Sequence, residues 1–167
     1  MQLRITEIFH SLQGEARSVG LPTVFVRLTG CPLRCTYCDT AYAFYGGEWS
    51  DIEDIVAKVA AFGVPNVCVT GGEPLVRRDI IDLFSALGRR LGHGLEELTL
   101  TTNGTQLATH AEALARAGVR RVYRFYRREG YHPFVCRRLA YAEAAWSSYL
   151  LSHPAQYPNP FQEGNDQ

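Results

Sequence analysis

The sequence predicts an α/β domain, a partial (β/α) barrel, and three observations carry that prediction. Short apolar, β-branched runs alternate with segments of helical period through the middle of the chain, the pattern of βαβ units in a parallel sheet. Three of those runs end at once in a polar or glycine motif: Cys31 with its neighbours, Gly71-Gly72-Glu73-Pro74, and Thr101-Thr102-Asn103-Gly104. In a parallel sheet such loops share the carboxyl-end rim, where α/β folds bind ligands. Finally, Cys31, Cys35 and Cys38 stand within eight residues in the first of these loops.

Taken in order, residues 3–9 alternate apolar and polar and predict a half-buried strand. Residues 10–17 are polar and glycine-containing, so a loop is expected there. Gly20-Leu21-Pro22 signals a turn, and residues 23–28 are apolar enough for a buried strand leading into the cysteine loop. Residues 41–47 are aromatic and glycine-rich and predict an ordered flap, either covering core or touching a ligand. Ser50 followed by Glu53 reads as a capping box for a helix that Gly63 and Pro65 end. Residues 67–70 then form a strand, 79–91 a helix, 98–101 a strand, 107–117 a helix and 119–125 a further strand. Residues 136–151 have an apolar stripe (Leu139, Ala142, Trp146, Tyr149, Leu150) suited to a covering helix. Residues 152–167 carry little to bury and are expected to be a mobile tail. One domain, 1–151, with that tail is the expected organisation.

The cysteine spacing is C-x3-C-x2-C. Thiolates converging from one loop bind soft metals or iron–sulfur clusters. A tetrahedral zinc site would need a fourth ligand from far along the chain. A disulfide framework fits poorly with five cysteines and no secretory leader in the first residues. Three thiolates on a four-iron cube leave one iron open to a small molecule.

Seventeen basic and seventeen acidic residues cancel in 167, so overall charge predicts neither nucleic-acid nor membrane binding. No apolar run reaches membrane-spanning length, and a cytoplasmic location is expected. Residues 116–138 depart from this balance, with eight arginines against the single acid Glu129. That region is either a solvated face or a basic surface for a nucleotide or tRNA.

From residue 1 to 75 the chain resembles the 7-carboxy-7-deazaguanine synthases, radical S-adenosylmethionine (SAM) enzymes. Phe9-His10-Ser11-Leu12-Gln13-Gly14-Glu15, Phe25-Val26-Arg27-Leu28-Thr29-Gly30, Cys31 to Thr40 and Thr70 to Leu75 carry the likeness. Ala16 stands where that family has a second glycine. Residues 76–122, with Arg77-Arg78-Asp79-Ile80 and Thr101-Thr102-Asn103-Gly104, look more like the GTP 3′,8-cyclases of the same superfamily. Residues 123–167 match neither, so the resemblance implies a radical SAM barrel shortened or altered at its C-terminal end.

The resemblance implies a [4Fe-4S] cluster on Cys31, Cys35 and Cys38. It implies SAM contacts around Tyr37, Cys38, Asp39, Gly72, Glu73 and Thr102, and Mg²⁺ at Thr40. Substrate contacts fall on Leu12, Gln13, Gly14, Glu15, Arg27 and Thr70. The implied reaction converts 6-carboxy-5,6,7,8-tetrahydropterin to 7-carboxy-7-deazaguanine in queuosine and deazapurine biosynthesis. A flavodoxin- or ferredoxin-type electron donor and a homodimer are the implied partners. Arg27 suits a carboxylate because its planar fork matches two oxygens. Two alternatives remain at this stage: a cyclase-like reaction on a purine nucleotide, and a catalytically silent cluster-binding remnant.

Overall fold

A strand with neighbours on both sides and helices over one face must be apolar on that face. Pro22–Leu28 (β2) meets this with Val24, Val26 and Leu28, none of them measurably exposed. A computed structural model of the chain describes residues 1–14, 19–32, 38 and 40–124, and β2 lies near the middle of its six-stranded sheet. The other strands are Gln2–Leu12 (β1), Glu48–Asp51 (β3), Asn66–Gly71 (β4), Glu97–Thr102 (β5) and Val119–Arg124 (β6). The sheet order is β3-β1-β2-β4-β5-β6. β2, β4, β5 and β6 run parallel, while β1 is antiparallel to both β2 and β3.

Ile52–Ala61 (α1), Ile80–Gly88 (α2) and Leu107–Arg116 (α3) connect successive parallel strands. Their apolar stripes (Ile55 and Val59; Leu83, Phe84 and Leu87; Leu114) join Val24, Val26, Val67, Val69, Leu98 and Leu100 in one core. Because side chains alternate along a strand, the intervening residues project from the other face of the sheet. That open face carries Phe25, Arg27, Cys68, Thr70, Thr99 and Thr101, markedly more polar than the helix side.

Two irregularities set which side chains reach it. On β1, Ile5 pairs with Leu28 and Glu7 with Arg27, so Thr6 is an extra residue in the ladder. Such a bulge reverses the alternation. Leu3 and Ile5 face the core before it, whereas Glu7 and Phe9 turn to the open face after it. Thr6 Oγ1 lies 2.8 Å from Thr29 Oγ1 beside the bulge. On β6 a second register shift separates Val119, opposite Leu98, from Arg121, opposite Thr99.

Several expectations from the sequence are corrected. His10, Ser11 and Leu12 are not loop; they continue β1 opposite Val24, Thr23 and Pro22, because the partner strand supplies the ladder that polar composition does not announce. The segment 48–51 is a strand, which the sequence reading missed. The capping box does not form either: Ser50 pairs with Leu3 in the sheet, and Asp51 at the N-cap makes no side-chain cap bond. The first helical N–H, on Ile52, instead reaches the Met1 carbonyl at 3.2 Å, which removes the need for a side-chain cap. α2 stops at Gly88, short of the expected Leu91, where Leu91 bridges Leu95 instead. The ordered flap expected over 41–47 is present, with Ala41–Phe44 forming a 3-10 turn. Phe125, the 136–151 helix, the tail, and with them the proposed boundary at 151, lie outside the described residues.

Candidate active site at the carboxyl rim

The three parallel strands that end in motifs do bring them together. β2 runs out through Thr29 to Gly30, whose positive φ of 87° suits glycine. The Gly30 N–H donates to the Ala43 carbonyl at 2.7 Å, tying the root of the cysteine loop to the 3-10 turn beyond it. Gly72 donates to Leu28 O at 2.9 Å, and a Cβ at Gly72 would overlap the Gly30 carbonyl. Only glycine permits that approach. The Arg77 guanidinium donates to the same Gly30 carbonyl. Two loops that are distant in sequence are thus fastened where the cysteines begin.

Cys31 and Cys38 are both half-buried, and Cys38 Sγ lies 3.6 Å from Thr40 Oγ1. Cys35, Tyr37 and Asp39 lie outside the described residues, so no three-ligand group appears among the described ones. The donors nonetheless fit an iron–sulfur cluster. Cys31 and Cys38 are two soft thiols, partly accessible, beside a root fixed by main-chain hydrogen bonds.

The Gly-Gly-Glu-Pro motif and the end of β5 are joined by Glu73, which is 5% exposed. Its Oε1 accepts from Leu75 N at 3.0 Å and Thr102 Oγ1 at 2.6 Å, and its Oε2 from Asn103 N at 2.8 Å. Burial pushes the Glu73 carboxyl above its usual range; the bonds from Asn103, Thr102 and Leu75, and the nearby Arg77 charge, pull the other way without prevailing. Glu73 and Thr102 therefore serve each other, and both are buried.

Arg27 and Thr70 pair in register across β2 and β4, one step from the rim and on the open face. Arg27 is not a solvent-facing edge residue, because β2 has β1 and β4 on its two sides. Three residues surround it, and their contacts with it were not read from the sequence. Glu7, its direct cross-strand partner, takes a 2.6 Å hydrogen bond from Nη1. Tyr42 of the 3-10 turn donates its OH to the same Glu7 Oε1 at 2.9 Å. The Arg27 guanidinium carbon lies 5.1 Å from the Phe9 ring centre and 5.4 Å from that of Tyr42.

The Leu12-Gln13-Gly14 segment does not spring from this rim. Leu12 pairs with Pro22 at the opposite end of β2, roughly 16 Å along the strand from Arg27 at about 3.3 Å per residue. Gln13 is 7% exposed, and its backbone closes a loop through Leu21 O at 2.9 Å and Gly20 N at 2.8 Å. Glu15 lies outside the described residues. Of the basic region, Arg121 pairs with Glu97 at 2.9 Å and Arg116 with Glu112, so those two charges are already compensated.

An α/β sheet with helices on one face, a polar opposite face and a cysteine loop at its carboxyl rim defines a cluster-binding class of partial barrel. The sequence pattern of the Radical SAM superfamily matches residues 25–123, and the chain belongs to that family. Membership implies a [4Fe-4S] cluster and SAM. A GTP 3′,8-cyclase of Erythrobacter litoralis is 53% identical over 97 residues, 55% of this chain and 29% of the relative. A 7-carboxy-7-deazaguanine synthase of Pyrobaculum aerophilum is 53% identical over 96 residues, 54% of this chain and 43% of the relative. The matches thus span less than half the length of either relative. The crystal structure of QueE from Escherichia coli shares the fold, with a TM-score of 0.54 and 23% identity, covering 90% of this chain and 77% of that one. No described helix is long and apolar enough to cross a membrane.

Proposed function

We propose that the chain is a radical SAM carbon–nitrogen lyase converting 6-carboxy-5,6,7,8-tetrahydropterin to 7-carboxy-7-deazaguanine with loss of ammonia. The observation that carries this is Arg27 beside Thr70 on the open face at the rim, a guanidinium fork suited to a carboxylate. The synthases similar to this chain support it.

Cys31, Cys35 and Cys38 would hold the cluster. Main chain at Tyr37, Cys38, Asp39 and Gly72 would meet SAM, on a loop shaped by Glu73 and Thr102. When bound, the cluster and SAM supply the one-electron chemistry that starts the rearrangement. The protein's part is to bind and orient. Arg27 anchors the substrate carboxylate with Thr70 adjacent. Thr40 provides a hard oxygen for Mg²⁺, the substrate and water supplying others. The working form is a cytoplasmic homodimer that takes electrons from a flavodoxin- or ferredoxin-type donor.

A second reading, cyclisation of a purine nucleotide, is favoured by the equally identical cyclase. Anaerobic turnover with carboxy-tetrahydropterin and, separately, GTP distinguishes them: 7-carboxy-7-deazaguanine is expected from the first, and product from GTP alone would overturn the assignment. Anaerobically reconstituted protein should bind about four irons per chain, and Cys35→Ala should lose them. A colourless protein holding stoichiometric zinc would remove the chemistry altogether.

A further inference from the structure

The charge that makes Arg27 an anion site is already partly spent, and the way it is spent bears on which anion can enter. Glu7 stands directly opposite Arg27 in the β1–β2 register, on the open face, while the Thr6 bulge lets Leu3 and Ile5 face the core. Its Oε1 takes the Arg27 Nη1 donor at 2.6 Å and the Tyr42 hydroxyl at 2.9 Å. Phe9 and Tyr42 lie against the guanidinium, and Phe9 is itself stacked on Phe25 at 5.2 Å. The cation is therefore held in place, with one of its five donors consumed. Its Nε is buried without a partner among the described residues, so the donors left for a ligand are the remaining N–H groups of Nη1 and Nη2. Arg27 keeps 18% of its side chain exposed and Glu7 40%, so the pair is open to a ligand.

We propose that Glu7 determines the class of anion this site accepts, admitting a singly charged carboxylate and rejecting a phosphate. Paired with Glu7, Arg27 offers unused donors but no net charge. A carboxylate needs two donors and brings one negative charge. A phosphate monoester brings about −1.5 to −2 at neutral pH, so the Glu7 carboxylate repels it more strongly than it repels a singly charged carboxylate. Selectivity by a built-in repulsive group is a recognised route to discrimination. The inference rests on the reading that Arg27 binds the substrate carboxylate, and it narrows the substrate to a carboxylated heterocycle rather than a nucleotide.

The test compares dissociation constants of reconstituted enzyme, under anaerobic conditions, for two ligands that differ in their anionic group. These are 6-carboxy-tetrahydropterin and 6-hydroxymethyl-tetrahydropterin monophosphate. Glu7→Gln keeps the size and an oxygen for Tyr42 but removes the charge. It should shift the affinity ratio toward the phosphate by about tenfold or more. Tyr42→Phe, which frees Glu7 from its hydroxyl anchor, should shift the ratio in the same direction by less. A ratio unchanged in Glu7→Gln, or moved toward the carboxylate, overturns the inference, and a uniform change in both affinities counts against it equally. Arg27→Ala separates the two levels. If it binds the carboxylate ligand as tightly as the parent, the underlying assignment of Arg27 fails. If it loses that ligand while Glu7→Gln leaves the ratio alone, only the role of Glu7 fails.

Discussion

Two carboxylates organise the rim, and they are used in opposite ways. Glu73 is 5% exposed and has both oxygens filled by three donors from two segments. Glu7 has 40% of its side chain exposed, with Arg27 and Tyr42 both on one oxygen. The first carboxylate closes a structure; the second leaves a cation with spare donors facing an open surface. Burial and saturation distinguish a group that holds loops from one that tunes a ligand site, even where sequence presents the same residue type.

The comparison breaks most visibly if Glu73 is removed. Glu73→Ala strands a buried hydroxyl and two main-chain N–H groups, and each unsatisfied buried group costs about 1–3 kcal/mol. A loss on the order of 3 kcal/mol or more is expected in urea unfolding, with the Thr102 and Asn103 loops first to lose amide-exchange protection. A change below about 1 kcal/mol would mean that water replaces the carboxylate easily, and Glu73 would not be the clasp its contacts describe.

Arg27→Ala should behave the other way round. Its partner Glu7 is exposed enough to be solvated alone, so the stability loss should stay near about 1 kcal/mol, typical of a partly exposed pair. Binding of a carboxylated ligand should fall by about 2–3 kcal/mol, the usual worth of a charge-assisted contact. Equal losses in both measurements would erase the distinction between the two carboxylate sites.

What could be read from the sequence follows the same divide. The apolar runs of β2, β4 and β5 and the motifs at their ends were legible because burial and rim position each leave a local signature. Glu73 and Thr102 were legible through motif alone; that they bond to each other was not, since 29 residues separate them. Glu7, and the meeting of Phe9 and Tyr42 with Arg27, were missed because they depend on cross-strand register and on where the 41–44 turn packs. A signal did exist. Once residues 3–12 and 22–28 are taken as a hairpin with Leu12 opposite Pro22, counting back along both strands puts Glu7 opposite Arg27. The bulge at Thr6 gave no such signal, because nothing in the composition of β1 marks where its register with β2 shifts. The false capping box shows a related limit: Ser50 and Glu53 have the right spacing, but the sheet claimed Ser50 first.

The smallest expected effect is a slope rather than a loss, and it concerns Glu73 alone. Burial raises its carboxyl above the ordinary value of 4.5, so at pH values between the two the folded chain binds a proton that the unfolded chain releases. The stability associated with the protonated group is fully present below the ordinary value and is lost as pH rises through the folded one. Glu73→Gln cannot titrate there. Subtracting its unfolding free energy from that of the parent at each pH cancels the other groups, since both proteins carry them. The difference should therefore move against the parent as pH increases from about 4 and level off once the folded carboxyl is ionised. Urea midpoints at closely spaced pH values would give this curve. A difference moving in the parent's favour would mean that the donors from Leu75, Thr102 and Asn103 outweigh burial. Glu73 would then be a stabilised anion, and the contrast with Glu7 would be one of exposure only.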